Sequence, residues 1–220
     1  MPITMNEPTP RTLPVVVMAD TSGSMSVDGK IAVLNDSLRR MVLAFRDMRI
    51  PATSIAVSVI TFGGEEASIH QPLTPVDVLD LADLTASGRT PMGAAFRCAA
   101  ELLSDRNALP ERSYRPNLVL VSDGIPTDAW DDGLSILDGS PASKGALRFA
   151  VGIGADLKLD VLEKFAGEEG QVVPASEVEM ITEFFRYVTY TVTRSASAVG
   201  KSQAEMPTFK DFPASDVIRF

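Results

Sequence analysis

Three short segments of the chain combine Asp, Ser and Thr side chains in a pattern that suits the binding of a hard metal ion. They are Asp20–Ser24 (DTSGS), Ser87–Pro91 (SGRTP) and Ser122–Gly124 (SDG). Carboxylate and hydroxyl oxygens, with no His or Cys among them, select Mg²⁺, Mn²⁺ or Ca²⁺ over zinc or copper. The segments therefore predict a site for one such ion, with Mg²⁺ as the first choice.

Five side chains in these segments are the candidate ligands. Two carboxylates, Asp20 and Asp123, balance the charge of one divalent cation, whereas the hydroxyls of Ser22, Ser24 and Thr90 add little charge. The ion then stays electrophilic and accepts one more anionic oxygen. An octahedral Mg²⁺ shell leaves at least one position for water or for a carboxylate of a partner protein.

The elements around these segments alternate between strands and helices. Unbroken apolar runs of strand length predict buried strands, and apolar residues at helical spacing predict helices. The predicted strands are 13–20, 54–62, 67–71, 117–122, 146–153 and 171–173, and the predicted helices are 30–49 with Asp28 as N-cap, 91–103, 127–137, 157–165 and a last helix opened by a capping box of Ser176 and Glu179. This order predicts an α/β sandwich with a mainly parallel sheet.

The predicted fold brings the three segments to one rim. In open α/β sheets, ligands collect outside the carboxyl ends of the strands, where the connecting loops converge. Each segment also has a structural explanation on its own: Asp20 satisfies backbone donors in a turn, Thr90 is the N-cap of a helix that begins with a proline, and Asp123 belongs to an ordinary Asp-Gly turn. Their coincidence on one rim favours the metal site.

Together the segments resemble the metal ion-dependent adhesion site of von Willebrand factor A domains. The D-x-S-x-S motif at Asp20–Ser24, Thr90 in GRTPMG and Asp123 in VSDG stand at all five motif positions, and the resemblance covers about residues 13–192. It implies a Rossmann-like three-layer sandwich with helices on both faces. It also implies one short antiparallel edge strand, for which 67–71 is the candidate.

The same resemblance implies roles for the candidate ligands. Ser22, Ser24 and Thr90 would contact the metal, while Asp20 and Asp123 would hold it directly or through water. An acidic side chain of a protein partner would complete the shell. The resemblance therefore implies a protein-interaction module.

Within that superfamily, the segments DTSGSM and SGRTPMG are most similar to bacterial TerY-type proteins of tellurium resistance and stress response. Those proteins are commonly associated with a protein kinase and a PP2C-like phosphatase, so the resemblance implies partners of these kinds. Some relatives carry a C-terminal zinc module, which this chain cannot form because it has one cysteine and one histidine.

A different hypothesis is a metal-dependent hydrolase or phosphotransfer enzyme that uses Asp20 as a nucleophile. Such an enzyme needs a general acid or base near the metal, but the residue two positions after Asp20 is Ser22 rather than a carboxylate. The three segments also contain no lysine to hold a phosphate, and Arg89 is their one strongly basic candidate. These features favour binding without catalysis.

Composition restricts the partners and the compartment. The chain has 220 residues and a net charge of −9, which disfavours nucleic acid as a partner. No apolar run reaches the roughly 18–20 residues that span a bilayer, and the N-terminus has no signal-peptide pattern. A single cysteine, Cys98, excludes an internal disulfide. We expect a cytoplasmic protein that does not enter membranes.

The ends of the chain differ from the rest in composition. Residues 1–12 contain three prolines without apolar periodicity, which predicts a flexible arm before a domain at 13–192. Residues 193–220 contain isolated apolar side chains such as Phe209 and Phe212 in polar surroundings. This tail either packs back on the domain, which we favour, or docks on a partner.

Overall fold

The computed structural model describes residues 10–48, 50–154, 159–175, 177–197 and 208–212. The strands are β1 (Arg11–Asp20), β2 (Thr53–Gly63), β3 (Glu66–Pro75), β4 (Asn117–Ser122), β5 (Leu147–Ile153) and β6 (Gln171–Ala175), and the helices are α1 (Lys30–Asp47), α2 (Met92–Ser104), α3 (Trp130–Gly139), α4 (Leu159–Ala166) and α5 (Glu179–Ser197). Two short 3-10 helices cover Gly23–Gly29 and Phe209–Asp211. Within the described ranges, no helix combines the length and the apolar character that crossing a membrane would need.

The six strands form one sheet in the order β3-β2-β1-β4-β5-β6. All neighbouring strands are parallel except β2 and β3, which are antiparallel. This arrangement confirms the predicted Rossmann-like sandwich with one antiparallel edge strand. That strand is longer than the predicted 67–71, since it runs from Glu66 to Pro75, and its pairing with β2 shifts register at two places.

Each face of the sheet carries its own apolar core. In β1, Val15 and Val17 face a core formed with α1 and α5, whereas Val16 and Met18 face a core formed with α2, α3 and α4. Successive side chains of a strand point to opposite faces, so a strand covered on both sides must be apolar throughout. This requirement explains the unbroken apolar run that predicted β1.

The start of α1 differs from the prediction. The expected N-cap, Asp28, has a left-handed backbone with φ 54°, and Gly29, with φ 72°, stands at the N-cap position. The prediction of Asp28 is wrong because the 3-10 segment Gly23–Gly29, which buries Met25, is kinked at Val27 and Asp28, so that α1 begins only after Gly29. The predicted capping box cannot be compared, because Ser176 lies outside the described residues.

Helices α2 and α3 approach each other through two glycines. A Cβ atom added to Gly133 of α3 would lie 2.3 Å from the carbonyl oxygen of Gly93 in α2 and 2.7 Å from its Cα. Backbone atoms cannot rotate away as the end of a flexible side chain can. The contact therefore fixes the spacing of the two helices that follow Thr90 and Asp123 in the chain.

We expect Gly133→Ala to destabilise the domain by about 1–3 kcal/mol, the usual cost of overpacking a closely packed interior. Urea denaturation monitored by circular dichroism measures this change. Gly139→Ala in the same helix is the matched control, because a Cβ atom there has no neighbour within 4 Å. Equal stabilities of the two variants would contradict the close approach.

The C-terminal residues 208–212 lie against α5. The ring of Tyr187 contacts Phe209 and Phe212 edge-on, with centroid distances of 5.5 Å and 5.8 Å. At the other end of the domain, β1 begins at Arg11, within the segment predicted as an arm. The behaviour of the arm and of the tail as a whole stays a prediction.

Candidate metal centre

The candidate centre lies beside β1, where the order in which the chain adds strands switches from one side of β1 to the other. From β1 the chain adds β2 and β3 on one side and then returns to add β4 on the other. The loops after β1 and β4 diverge at this switch point, which is where open α/β sheets bind ligands. Asp20 is the last residue of β1, and Asp123 directly follows β4. The fold thus brings these two carboxylates to one crevice.

Asp20 is a buried carboxylate held by hydrogen bonds. Its Oδ1 accepts a hydrogen bond from the backbone N–H of Ser22 at 2.8 Å, and its Oδ2 accepts one from the hydroxyl of Ser122 at 2.5 Å. The residue is 0 % exposed, and no cationic side chain among the described residues pairs with it. Burial raises the pKa of Asp20 to about 6, against the lowering effect of the hydrogen bonds from Ser122 and Ser22, and the charge of Asp123 raises it further.

The hydroxyls of the first segment link it to Asp123. The Oγ atoms of Ser22 and Ser24 are 3.0 Å apart, and Ser24 Oγ donates a hydrogen bond to Asp123 Oδ1 at 2.7 Å. The other oxygen of Asp123 accepts a hydrogen bond from Lys30 Nζ, also at 2.7 Å. Four of the five predicted ligands, Asp20 included, therefore form one hydrogen-bonded group.

Thr90 reaches the same crevice from the loop before α2. A Cβ atom on Gly124 would lie 3.1 Å from Thr90 Oγ1 and 3.7 Å from Asp20 Oδ2, so both oxygens face one small region. The main chain of Thr90 is fixed by two hydrogen bonds with Thr127. Its side-chain hydroxyl forms no hydrogen bond with the part of the chain that the structure describes, although the residue is only 6 % exposed.

The structural explanation of Thr90 as an N-cap is wrong. Pro91 occupies the N-cap position of α2, and no side chain of that residue caps the helix. The carboxylate of Asp128 instead accepts hydrogen bonds from the backbone N–H groups of Gly93 and Ala94, both at 2.8 Å. A carboxylate at this position also favours the positive end of the helix dipole. Because Asp128 caps α2, the hydroxyl of Thr90 stays available for another partner.

The first two segments are held together by main-chain hydrogen bonds. The N–H of Gly23 donates to the carbonyl of Gly88 at 2.9 Å, and the N–H of Ser87 donates to the carbonyl of Thr21 at 2.7 Å. The loop after β2 joins them, since the N–H of Gly64 donates to the carbonyl of Ser87 at 2.9 Å. These bonds set the distance between Thr90 and the hydroxyls of Ser22 and Ser24.

Lys30 is the functional candidate that the sequence analysis missed. The three segments contain no lysine, but the first residue of α1 sends its side chain back to Asp123. The one available signal was that Lys30 begins the helix directly after the first segment. Its reach depends on the 3-10 helix Gly23–Gly29, whose path no local pattern predicted.

The residues fit a divalent cation. Asp20 carries a buried charge without a countercharge, and Thr90 offers a hydroxyl without a hydrogen-bond partner among the described residues. Every donor is a hard oxygen, which suits Mg²⁺, Mn²⁺ or Ca²⁺. Among the described residues, no three side chains of the His, Cys, Asp or Glu types come together, so the centre has two carboxylates and relies on hydroxyls for its other donors.

Comparisons with solved structures agree with this fold. The chain is similar to a von Willebrand factor type A protein from Catenulispora acidiphila (20 % identity, TM-score 0.65, 83 % of this chain and 43 % of that one). It is also similar to the ArnB paralog VWA2 from Sulfolobus acidocaldarius (18 % identity, TM-score 0.60, 82 % and 46 %). A third similar structure is proximal thread matrix protein 1 from the mussel byssus with a zinc-occupied MIDAS motif (14 % identity, TM-score 0.63, 84 % and 48 %).

These identities are low, so the three structures support the fold alone. The chain spans less than half the length of each of them. A search of curated proteins gave no match. The sequence model of the von Willebrand factor type A domain family matches residues 15–125, a segment that contains all five predicted ligands. The chain therefore belongs to the von Willebrand factor type A domain family.

Proposed function

We propose that this protein is a metal-dependent protein-interaction module whose ion binds an acidic side chain of a partner. Ser22, Ser24 and Thr90 would contact the ion, and Asp20 and Asp123 would hold it directly or through water. The bound ion supplies the positive charge that attracts the partner's carboxylate. The observation that carries the proposal is the buried, unpaired carboxylate of Asp20 beside the unpartnered hydroxyl of Thr90.

Two further observations support a divalent ion at this centre. The donors are hard oxygens, which favours Mg²⁺ as the physiological ion, with Mn²⁺ or Ca²⁺ as substitutes. The similar mussel protein has a zinc-occupied MIDAS motif, which shows that this fold holds a divalent cation in that protein. We extend metal binding, but not the choice of zinc, to this chain.

The surroundings of the centre favour binding over catalysis. The one histidine and the one cysteine of the chain are not placed to act as a base or a nucleophile. His70 lies on the edge strand β3, with Nε2 3.1 Å from the carbonyl oxygen of Ala82, and burial raises the pKa of the Cys98 thiol in α2. At the centre itself, each oxygen of Asp20 and Asp123 already accepts a hydrogen bond. The hydrolase hypothesis therefore has neither the histidine nor the cysteine of the chain at the centre, and both carboxylates there are already engaged in hydrogen bonds.

We expect Thr90→Val to weaken Mg²⁺ binding on the order of tenfold, the loss that corresponds to about 1.4 kcal/mol. The substitution preserves shape and removes a hydroxyl that has no partner among the described residues, so the free energy of unfolding without metal should stay nearly constant. Isothermal titration calorimetry with MgCl₂ measures the first quantity, and urea denaturation in EDTA measures the second.

Thr53→Val is the matched control, because Thr53 begins β2 at the opposite end of the sheet. Its Mg²⁺ affinity should equal that of the wild type. A wild-type protein that takes up no divalent ion, or a Thr90→Val variant that binds as tightly as the wild type, would contradict the proposed ligand set.

We also propose a cellular setting from the resemblance to TerY-type proteins: a cytoplasmic complex for stress response or tellurium resistance that includes a kinase or a PP2C-like phosphatase. Capture of partners from an extract of the native source, with Mg²⁺ and then with EDTA, tests both the partner and the metal dependence. Partners should be released by EDTA and recovered in smaller amounts when Thr90→Val is the bait. Retention in EDTA would show that the interaction does not use the ion.

A further inference from the structure

The centre contains a cation of its own, the ammonium of Lys30. Its Nζ lies 2.7 Å from Asp123 Oδ2. The side chain of Lys30 is 16 % exposed and that of Asp123 is 0 % exposed, so the pair is shielded from water. Ion pairs in such surroundings are screened less than pairs on the surface. This contact gives Asp123 a countercharge, whereas Asp20 has no cationic partner among the described residues.

The position of Lys30 conflicts with that of a divalent ion. Both need the carboxylate of Asp123, and a cation close to another cation is repelled strongly when water is excluded. A divalent ion that uses Oδ2 must therefore displace the ammonium or accept its repulsion. Two carboxylates and one ammonium leave the centre with one net negative charge, and a divalent ion would reverse that sign.

We propose that Lys30 is a tethered competitor that occupies Asp123 when no metal is bound and thereby raises the metal concentration at which the module binds its partner. This inference rests on the proposed function and adds a regulatory residue to it. In the metal-free protein the ammonium stabilises the buried carboxylate of Asp123. In the metal-bound protein that stabilisation is lost, so Lys30 acts on the two states in opposite directions.

The test compares Lys30→Met with the wild type, using MgCl₂ alone as the probe. We expect the Kd for Mg²⁺, measured by calorimetry, to fall by about tenfold in the variant. In EDTA the variant should melt about 5 °C lower than the wild type, because Asp123 loses its countercharge. In saturating Mg²⁺ it should melt at the wild-type temperature or above it. An ion pair with a purely structural role would lower both melting temperatures.

Two further variants sharpen the comparison. Lys144→Met removes the same charge from an exposed residue before β5, at the opposite end of the sheet, and should leave the Kd unchanged. Lys30→Arg retains the charge, so its Kd for Mg²⁺ should be equal to or higher than that of the wild type. Should Lys30→Met fail to fold in EDTA, Lys30→Gln, which keeps a hydrogen-bond donor without the charge, provides the same measurement.

The possible outcomes distinguish a failure of this inference from a failure of the proposed function. If the wild type binds Mg²⁺ and Lys30→Met binds it equally or more weakly, the competition is disproved and the metal site stands. If neither protein takes up Mg²⁺, the proposed metal site fails, and the inference fails with it. If Lys30→Met alone takes up Mg²⁺, the competition is supported, but the proposed metal-dependent function of the wild type fails.

Discussion

In EDTA at pH 8, Asp20→Asn is expected to melt at a higher temperature than the wild type, and in excess Mg²⁺ the order is expected to reverse. The carboxylate is 0 % exposed and has no cationic partner among the described residues, so its charge destabilises the metal-free fold. The rise of its pKa from 3.8 to about 6 corresponds to about 3 kcal/mol. Asparagine keeps the shape and can accept the hydrogen bond from Ser22 without the charge.

The pH dependence follows from the sign of the pKa shift. Between pH 4 and pH 6 the folded wild type holds a proton on Asp20 that the unfolded chain releases, so its stability falls as the pH rises through this window. The advantage of Asp20→Asn in EDTA should therefore be largest above pH 6 and disappear below pH 4. Urea denaturation at several pH values measures this difference.

Metal reverses the order because only the wild type keeps the carboxylate. An ion present at about 1,000 times its Kd stabilises the folded state by about 4.1 kcal/mol, which exceeds the cost of the buried charge. Asp80→Asn, a change at an exposed residue without an ion pair among the described residues, is the matched control and should follow the wild type in both conditions. If Asp20→Asn is less stable than the wild type in EDTA, hydrogen bonding rather than burial dominates at this carboxylate.

The second large effect is expected for Gly88→Ala, which should destabilise the domain by about 3–5 kcal/mol. The added Cβ atom would lie 2.3 Å from the Cα of Gly64, and the φ of +73° disfavours any side chain. The two nearest atoms, the Cα and the N of Gly64, belong to the main chain, so the loop after β2 and the Thr90 loop must separate. The hydrogen bond between Gly23 N–H and Gly88 carbonyl would be disturbed at the same time.

Gly29→Ala separates the two contributions to that loss. Gly29 has nearly the same φ, +72°, but an added Cβ atom has no neighbour within 4 Å. We expect this control to lose only the cost of a left-handed alanine, about 1–2 kcal/mol. Urea denaturation of both variants measures the difference, and calorimetry should show weakened Mg²⁺ binding in Gly88→Ala. Equal losses would show that the two loops separate without cost.

The sequence alone determined the order of the elements and the chemistry of the candidate centre. Apolar runs predicted the strands because a sheet covered on both faces leaves no polar positions in its strands. The five oxygen-bearing residues, Asp20, Ser22, Ser24, Thr90 and Asp123, were predicted as ligands because motifs with short internal spacing can be read directly from the chain. For the same reason the family resemblance was visible before the structure.

The tertiary structure decided what lies beside those residues. Asp128 caps α2 in place of Thr90, Lys30 pairs with Asp123, and Gly88 packs on Gly64. Each contact joins residues more than twenty positions apart, and its energy depends on distances that the backbone path sets. A local pattern carries no record of such distances, so the cation within the centre became visible only when the chain was folded.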